Sequence, residues 1–256
     1  MSDPREQVLV GGRPIKIPAP VGFARVDGLN AEEDRAVEAL LSATNRYLAR
    51  FDPDKANSAD EGRTFNAQVM RKLETMEVGE RTFEDVKEQT RTEMDELQKT
   101  IQKELEAKMV EAEKKHRDVT GADMALSVSD VAVLGYFDDA PGSFGFTMAM
   151  NVAAKVGGES AKAKGVVAGM FVPVNGRLIF LYANATFNSA ADRQWAERSV
   201  TAWRDAVQAV NPRLQGPPGQ KGLFDGVGRT AIIGAIAGAV GGLIAVLSKK
   251  KKAQAS

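Results

Sequence analysis

Apolar residues alternate with polar or small residues along four stretches of the second half of the chain. The alternation is strictest at Phe144, Phe146, Met148 and Met150. Asn175-Gly176 separates the last two stretches, and this dipeptide favours the type I′ turn of a β-hairpin. Period-two stretches joined by short turns predict a four-stranded antiparallel meander over about residues 126–186.

A second pattern has steps of three or four residues and predicts a helix over about residues 83–118, with Thr82 and Asp85 forming its N-terminal cap. At about 1.5 Å per residue such a helix exceeds about 50 Å, so we expect it to project from the domain or to lie along its surface. Its narrow apolar stripe fits packing on the chain's own sheet, and it equally fits a coiled-coil seam for a partner or a second copy. The candidate seam residues are Met94, Leu97, Ile101, Leu105 and Met109.

Helical spacing returns after the meander, in a segment that we expect to close the sheet. Ser189 and Asp192 have the spacing of a capping box, which predicts a helix over about residues 190–210. Trp195 and Trp203 lie eight residues apart, on roughly one face of this helix. We interpret both tryptophans as core anchors rather than as a ligand cage.

Shorter patterns organise the first 80 residues. Two prolines within residues 15–20 predict an extended segment. Asn30, followed by Glu33, resembles a helix cap and predicts a short helix. Alternation predicts one strand over residues 47–51 and another from Phe65 to about Val78.

The C-terminal region has a different composition. A Gly/Pro-rich linker over residues 213–229 precedes a predicted transmembrane helix over 230–248, and a basic tail occupies 249–256. The uncharged run Ala231–Ser248 has 18 residues and as a helix would reach about 27 Å, close to the thickness of a bilayer core. We expect the tail lysines to contact lipid headgroups. These are Lys249, Lys250, Lys251 and Lys252.

Small residues repeat every four positions within this run and form two adjacent rows on one helix face. The rows are Gly234, Gly238 and Gly242, and Ala231, Ala235 and Ala239. A face of small residues lets two backbones approach closely in lipid. The pattern therefore predicts self-association into a homo-oligomer through the anchor.

The sequence carries two conflicting signals for orientation in the membrane. The four tail lysines favour a cytoplasmic tail, whereas the N-terminus shows no export signal for the large domain at residues 1–212. We give the missing signal more weight and expect a single-pass, tail-anchored protein with a cytoplasmic domain. A re-entrant or surface-bound segment is the alternative.

Composition limits the possible chemistry. The 34 basic residues balance 34 acidic residues, which does not indicate a nucleic-acid partner, and the chain contains no cysteine. His116 is flanked by basic residues and is interpreted as a solvated helix residue. Asp138 and Asp139 are interpreted as turn formers, with a shared cation as the alternative. We expect no catalytic site, no metal and no cofactor.

The succession of elements resembles a known superfamily. The Asn175-Gly176 hairpin followed by a closing helix with Trp195 and Trp203 is similar to the end of PsbP- and DcrB-type α/β/α sandwiches. The earlier order, with residues 17–23 preceding a strand and a helix, is similar too. The resemblance implies an α+β fold with an antiparallel sheet covered by helices and a tendency towards accessory roles. It implies no site residues, and the long helix and C-terminal span depart from it.

These features favour a membrane-tethered, non-enzymatic scaffold or accessory module that binds membrane lipid and an unidentified protein partner. One alternative is a small-molecule or lipid-binding module with its ligand between sheet and helix. Its candidate lining is Phe144, Phe146, Met148, Met150 and Trp203. A second alternative is a glycine-zipper protein that remodels or permeabilises the membrane.

Overall fold

The computed structural model describes residues 4–41, 44–54, 62–97, 101–121, 123–156, 159–216, 227, 229–230 and 233–234. The strands are β1 Gln7–Val10, β2 Arg13–Lys16, β3 Phe23–Arg25, β4 Asn45–Pro53, β5 Thr64–Met70, β6 Met124–Asp138, β7 Phe144–Val156, β8 Glu159–Val174 and β9 Arg177–Thr186. The α-helices are α1 Ala31–Leu40, α2 Glu80–Leu97, α3 Ile101–Thr120 and α4 Ala190–Ala209. The fold class is α+β, as predicted.

Seven strands form one antiparallel sheet in the order β3-β4-β5-β9-β8-β7-β6. Its last four strands are the predicted meander, and the hairpin turn between β8 and β9 has positive φ values at both Asn175 (46°) and Gly176 (72°). Positive φ at both central residues is what a type I′ turn requires. The capping boundary of α4 is also as predicted, because Ser189 and Asp192 form a complete capping box.

Apolar side chains cover both faces of this sheet and form two separate cores. On the α2/α3 face, Phe83 and Met94 pack with Phe144 and Phe146. On the α4 face, Trp203 packs with apolar side chains of β4 and β5 and with the β1–β2 hairpin. The sheet is therefore the middle layer of a sandwich, with helices on each side.

Three boundaries differ from the predictions. The segment at residues 15–20 is not only an extended approach, because Arg13–Lys16 pairs with Gln7–Val10 in a hairpin. Strand β5 ends at Met70, and a 3₁₀ turn follows at Arg71–Leu73. Helix α2 begins at Glu80, which places Thr82 inside the helix rather than at its cap. Short amphipathic segments carry helix and strand signals of similar strength, and tertiary packing decides between them.

The predicted long helix corresponds to α2 and α3, which flank residues 98–100, and these residues lie outside the described part. Helix α3 packs on β6, and α2 contacts the C-terminal part of β6 at Tyr136, so the described parts of both helices lie against the sheet. Asp95 accepts a hydrogen bond from Tyr136 Oη at 2.8 Å, and the carboxylate of Glu113 accepts one from the backbone N–H of Leu126 at 2.5 Å. Of the two interpretations of the stripe, these contacts favour packing on the chain's own sheet.

A bidentate ion pair between Arg46 and Glu74 ties β4 to the turn that follows β5, with N···O distances of 2.9 and 2.7 Å. The hydrogen bond from Arg46 holds the pKa of the Glu74 carboxyl below its usual value of 4.5. Because the folded pKa is the lower one, the pair stabilises the fold above the unfolded pKa, and this contribution is lost as the pH falls through the folded value.

We expect Glu74→Gln to lower the free energy of unfolding near pH 7 by about 1 kcal/mol or less, as is typical of a partly exposed pair. The difference from the wild type should shrink as the pH falls below 4.5. Urea denaturation between pH 7 and pH 3 measures both quantities. Arg46→Gln is the matched control and should show the same pH dependence. A constant difference at every pH would contradict the assignment.

Candidate functional site

Polar side chains interrupt the α2/α3 face of the sheet where β4, β5 and β9 lie side by side. Asn45, Gln68 and Tyr182 are buried there, and we call these three residues the polar socket. The strand register explains the grouping, because Gln68 lies opposite Tyr47 on β4 and Tyr182 lies opposite Asn66 on β5. Buried amides need hydrogen-bond partners, so the socket requires a polar surface above it.

That surface is provided by the end of the predicted linker and the start of the predicted membrane span. Residues 227, 229–230 and 233–234 are helical, and we call them the C-terminal segment. Val227, Thr230 and Gly234 are buried, whereas Arg229 is exposed. Because positions 227, 230 and 234 follow the i, i+3, i+7 spacing of one helix face, the segment docks on the sheet through a single face.

The socket recognises the backbone of this segment rather than its side chains. Gln68 Nε2 donates to the carbonyl oxygen of Gly234 at 3.1 Å, and Asn45 Nδ2 donates to that of Thr230 at 3.4 Å. The two amides are themselves linked, since Asn45 Nδ2 also donates to Gln68 Oε1 at 2.9 Å. Gln68 Nε2 further donates to Asn66 Oδ1 at 2.7 Å, which orients the glutamine amide.

Glycine at position 234 is what allows this approach. A Cβ at this residue would lie 2.6 Å from both Asn45 Nδ2 and Gln68 Oε1, and 3.1 Å from the hydroxyl oxygen of Tyr182. Distances below 3.0 Å force neighbouring atoms to move, so a larger residue at this position would displace the two amide groups or the helix from their present contact. The socket therefore accepts a helix that presents a small residue at its centre.

The socket is electrically neutral. Burial raises the pKa of Tyr182 well above its ordinary value, and burial raises the pKa of the adjacent Tyr47 to about 12. Both phenols therefore stay protonated near neutral pH. Amide and phenol groups without a charge suit the binding of neutral backbone carbonyls, and they offer no acid or base for catalysis near pH 7.

The predicted self-association face reaches the socket at one residue. Gly234 lies against Asn45 and Gln68. The other members of the two small-residue rows, Gly238, Gly242, Ala231, Ala235 and Ala239, lie outside the described residues, as do Lys249, Lys250, Lys251 and Lys252. No helix in the described part of the chain combines the length and apolar character needed to cross a bilayer.

Side chains are described for only two of the candidate seam residues. Met94 and Met109 are buried in the core of the α2/α3 face, so these two side chains contact their own domain. The backbone of Leu97, Ile101 and Leu105 is helical, while their side chains lie outside the described part.

His116 is not solvated, contrary to the interpretation of the sequence. Its side chain is buried, because Met109, Ala112 and His116 lie at i, i+3 and i+7 on the face of α3 that packs inward. Helix α3 contacts both α1 and β6. The basic residues beside His116 in sequence point to other faces of the same helix, so they gave a misleading signal.

Asp138 and Asp139 do not share a site. Asp138 accepts a hydrogen bond from the backbone N–H of Ala140 at 3.0 Å, which is typical of a turn former, and pairs with Arg204 at 3.0 Å. Asp139 pairs with Lys87 at 3.0 Å and with Arg91 at 2.7 Å. Among the described residues, no group of three potential metal ligands occurs.

The predicted ligand pocket does not form as expected. Phe144, Phe146, Met148 and Met150 belong to the core of the α2/α3 face, whereas Trp203 belongs to the core of the α4 face. The sheet separates these groups, so they cannot line one cavity. An open groove of about 410 Å³ lies elsewhere, on β6–β8, with Ser129, Asn151 and Lys164 in its lining.

Sequence reasoning missed Asn45 and Gln68. The alternation of β5 is clear, with Phe65, Ala67 and Val69 on one face and Asn66 and Gln68 on the other. Polar residues on alternate positions normally indicate a solvated face. The sequence did carry one sign that this face is covered. Solvated strand faces usually carry charged side chains, whereas this face of β5 carries only the uncharged amides Asn66 and Gln68.

Comparison with protein-family models gives no match, and comparison with curated proteins gives none either. Among solved structures, the chain is similar to the Ran-binding protein Mog1p of Saccharomyces cerevisiae, with 12% identity and a TM-score of 0.30. A point mutant of the protein Mog1 is similar at 12% identity and a TM-score of 0.29. Each alignment covers 79% of this chain and 88% of the other.

Proposed function

We propose that this protein is a non-enzymatic accessory module that is tethered to a membrane by residues 230–248, self-associates through the small-residue face of that segment and holds a protein partner through its sandwich domain. The observation that carries the proposal is the packing at Gly234. At this one described glycine of the small-residue row, the polar side chains of Asn45 and Gln68 reach the helix backbone. Close approach of this kind is also what two such helices need in order to associate in lipid.

The domain surface supports the accessory role. Both faces of the described sheet are filled by the chain's own helices, so a partner would meet the outer surface of the sandwich. Among the described residues, the exposed positions of α2 and α3 include the charged side chains Glu88, Lys114 and Lys115, which a protein partner could contact. We place the domain on the cytoplasmic side.

Membrane attachment is tested with protein tagged at both ends in sealed, inverted inner-membrane vesicles. We expect the protein to resist alkaline extraction, the N-terminal tag to be digested by added protease and the C-terminal tag to be protected. Protection of the N-terminal tag with digestion of the C-terminal tag would place the domain on the opposite side. Complete extraction by alkali would overturn the tether.

Self-association is tested separately by Gly238→Ile, which puts a bulky side chain in the middle of the small-residue row. We expect the oligomer detected by cross-linking in vesicles to be lost, because the helix backbones can no longer approach. Ala237→Ile is the matched control, since it adds the same side chain about 100° away around the helix. Equal oligomerisation of the two variants would contradict the assigned face.

A further inference from the structure

We infer that the C-terminal segment has two mutually exclusive locations, the polar socket of its own domain and the membrane, and that the socket holds the segment until an anionic lipid surface takes it. This inference rests on the proposed membrane tether. While the segment is docked, the socket shields the start of the apolar run from water.

The uncharged run is too short to occupy the socket and span a bilayer at the same time. The uncharged run Ala231–Ser248 has 18 residues, and a helix of that length reaches about 27 Å. While Thr230 and Gly234 are held in the socket, only residues 235–248 remain, which is 14 residues and about 21 Å of helix. A bilayer core is about 30 Å thick. The docked segment therefore leaves too little helix to span, so spanning requires release from the socket.

Docking and self-association use the same helix face at Gly234. Gly234 is a member of the small-residue row proposed for self-association, and in the docked state its backbone faces Asn45 and Gln68. The same surface cannot contact a second helix at that time. Docking and self-association therefore exclude each other at this residue, and a docked protein is kept from oligomerising through Gly234.

The chemistry of the socket fits a releasable contact. Its two amides hold the segment only through the carbonyl oxygens of Thr230 and Gly234, so release breaks two neutral hydrogen bonds. The amides left behind can be hydrated by water, because they are neutral donors and acceptors. The lysines that follow the run, Lys249–Lys252, supply attraction to anionic headgroups, which favours release at a membrane surface.

The absence of cysteine from the chain allows a reversible lock. The double variant Asn45→Cys and Thr230→Cys leaves Gly234 and Gln68 unchanged. Its two positions are adjacent, because Asn45 Nδ2 lies 3.4 Å from the carbonyl oxygen of Thr230, and its two thiols can be joined by a short, reducible bis-thiosulfonate cross-linker. The full-length protein is added to vesicles of phosphatidylcholine and phosphatidylglycerol, and alkali-resistant binding is measured before and after reduction. We expect the cross-linked form to bind without becoming alkali-resistant, and the reduced form of the same protein to insert.

Weakening the socket should have the opposite effect. We expect Asn45→Ala with Gln68→Ala to raise insertion roughly tenfold or more, as removal of two neutral hydrogen bonds predicts. The control is Asn151→Ala, which removes an exposed amide of β7, remote from the socket. Equal insertion of cross-linked and reduced protein, or equal insertion of the socket variant and this control, would overturn the inference.

Docking itself is read out without a membrane, by the reaction of single cysteines with a water-soluble maleimide. We expect Thr230→Cys to react slowly and Arg229→Cys to react quickly, and the socket variant to remove the difference. Equal rates in the otherwise unchanged protein would overturn docking. If Thr230→Cys is protected but no form of the protein inserts into vesicles, the proposed tether fails and the membrane half of the inference fails with it.

Discussion

Replacement of Trp203 by alanine is expected to lower the free energy of unfolding by about 3–5 kcal/mol, the usual cost of removing a buried aromatic side chain. Trp203 is 2% exposed and lies edge-on to Phe51 and Phe65, with ring centroids 5.5 and 5.4 Å away. Its Nε1–H donates to the carbonyl oxygen of Pro18 at 2.8 Å. The side chain thus joins α4, the sheet and the segment that follows β2.

Urea denaturation of the full-length protein measures this loss. Trp203→Phe keeps a ring in the core but removes the donor to Pro18, so we expect a smaller loss of about 1–2 kcal/mol. Trp195→Ala is the second comparison, because Trp195 is only partly buried. If Trp203→Ala cost no more than Trp195→Ala, the α4 face would not be the continuous core that its packing indicates.

Replacement of Arg177 by methionine is expected to cost about 3 kcal/mol or more, since hydrogen bonds to charged groups contribute about 1.5–3 kcal/mol each. The guanidinium is buried and donates to the carbonyl oxygens of Val10 and Gly11 at 3.1 and 2.9 Å. It also donates to those of Met76 and Gly176, each at 3.0 Å. One side chain therefore binds the β1–β2 hairpin and the loop before α2 to the β8–β9 turn.

Arg13→Met is the matched control, because Arg13 lies beside the same turn but is more exposed. Its guanidinium binds the carbonyl oxygen of Asn175 at 3.1 Å and the carboxylate of Glu77 at 2.8 Å. We expect a loss of about 1 kcal/mol or less from this variant. Thermal unfolding followed by circular dichroism, together with proteolysis of the N-terminal hairpin, measures both. Equal effects would show that burial of Arg177 adds nothing.

Trp203 and Arg177 act through the α4 face and the hairpin turn, whereas Asn45 and Gln68 act through the α2/α3 face. Variants of the socket can therefore be compared with variants of the α4 face at similar losses of stability. If insertion rises in the socket variants but not in equally destabilised variants of the α4 face, the rise is due to release of the segment and not to general unfolding.

Short-range sequence signals were enough to predict much of the fold. The meander follows from strict alternation, its last turn follows from Asn175-Gly176, and the start of α4 follows from Ser189 and Asp192. Each of these signals acts within a few residues, so it does not depend on the rest of the chain. The burial of Trp203 was also predictable, because its helix has one apolar face.

Tertiary structure alone decided what lies on each face of the sheet. Sequence spacing could not show that Trp203 and Phe144 sit on opposite faces, because strand order and crossover direction place them there. It also could not show that His116 is on the buried face of α3, or that Asn45 and Gln68 are covered. The covering residues, Thr230 and Gly234, are 185 and 166 positions away from the amides they meet. Period-two alternation reports which side chains share a face, and only long-range packing reports what covers that face.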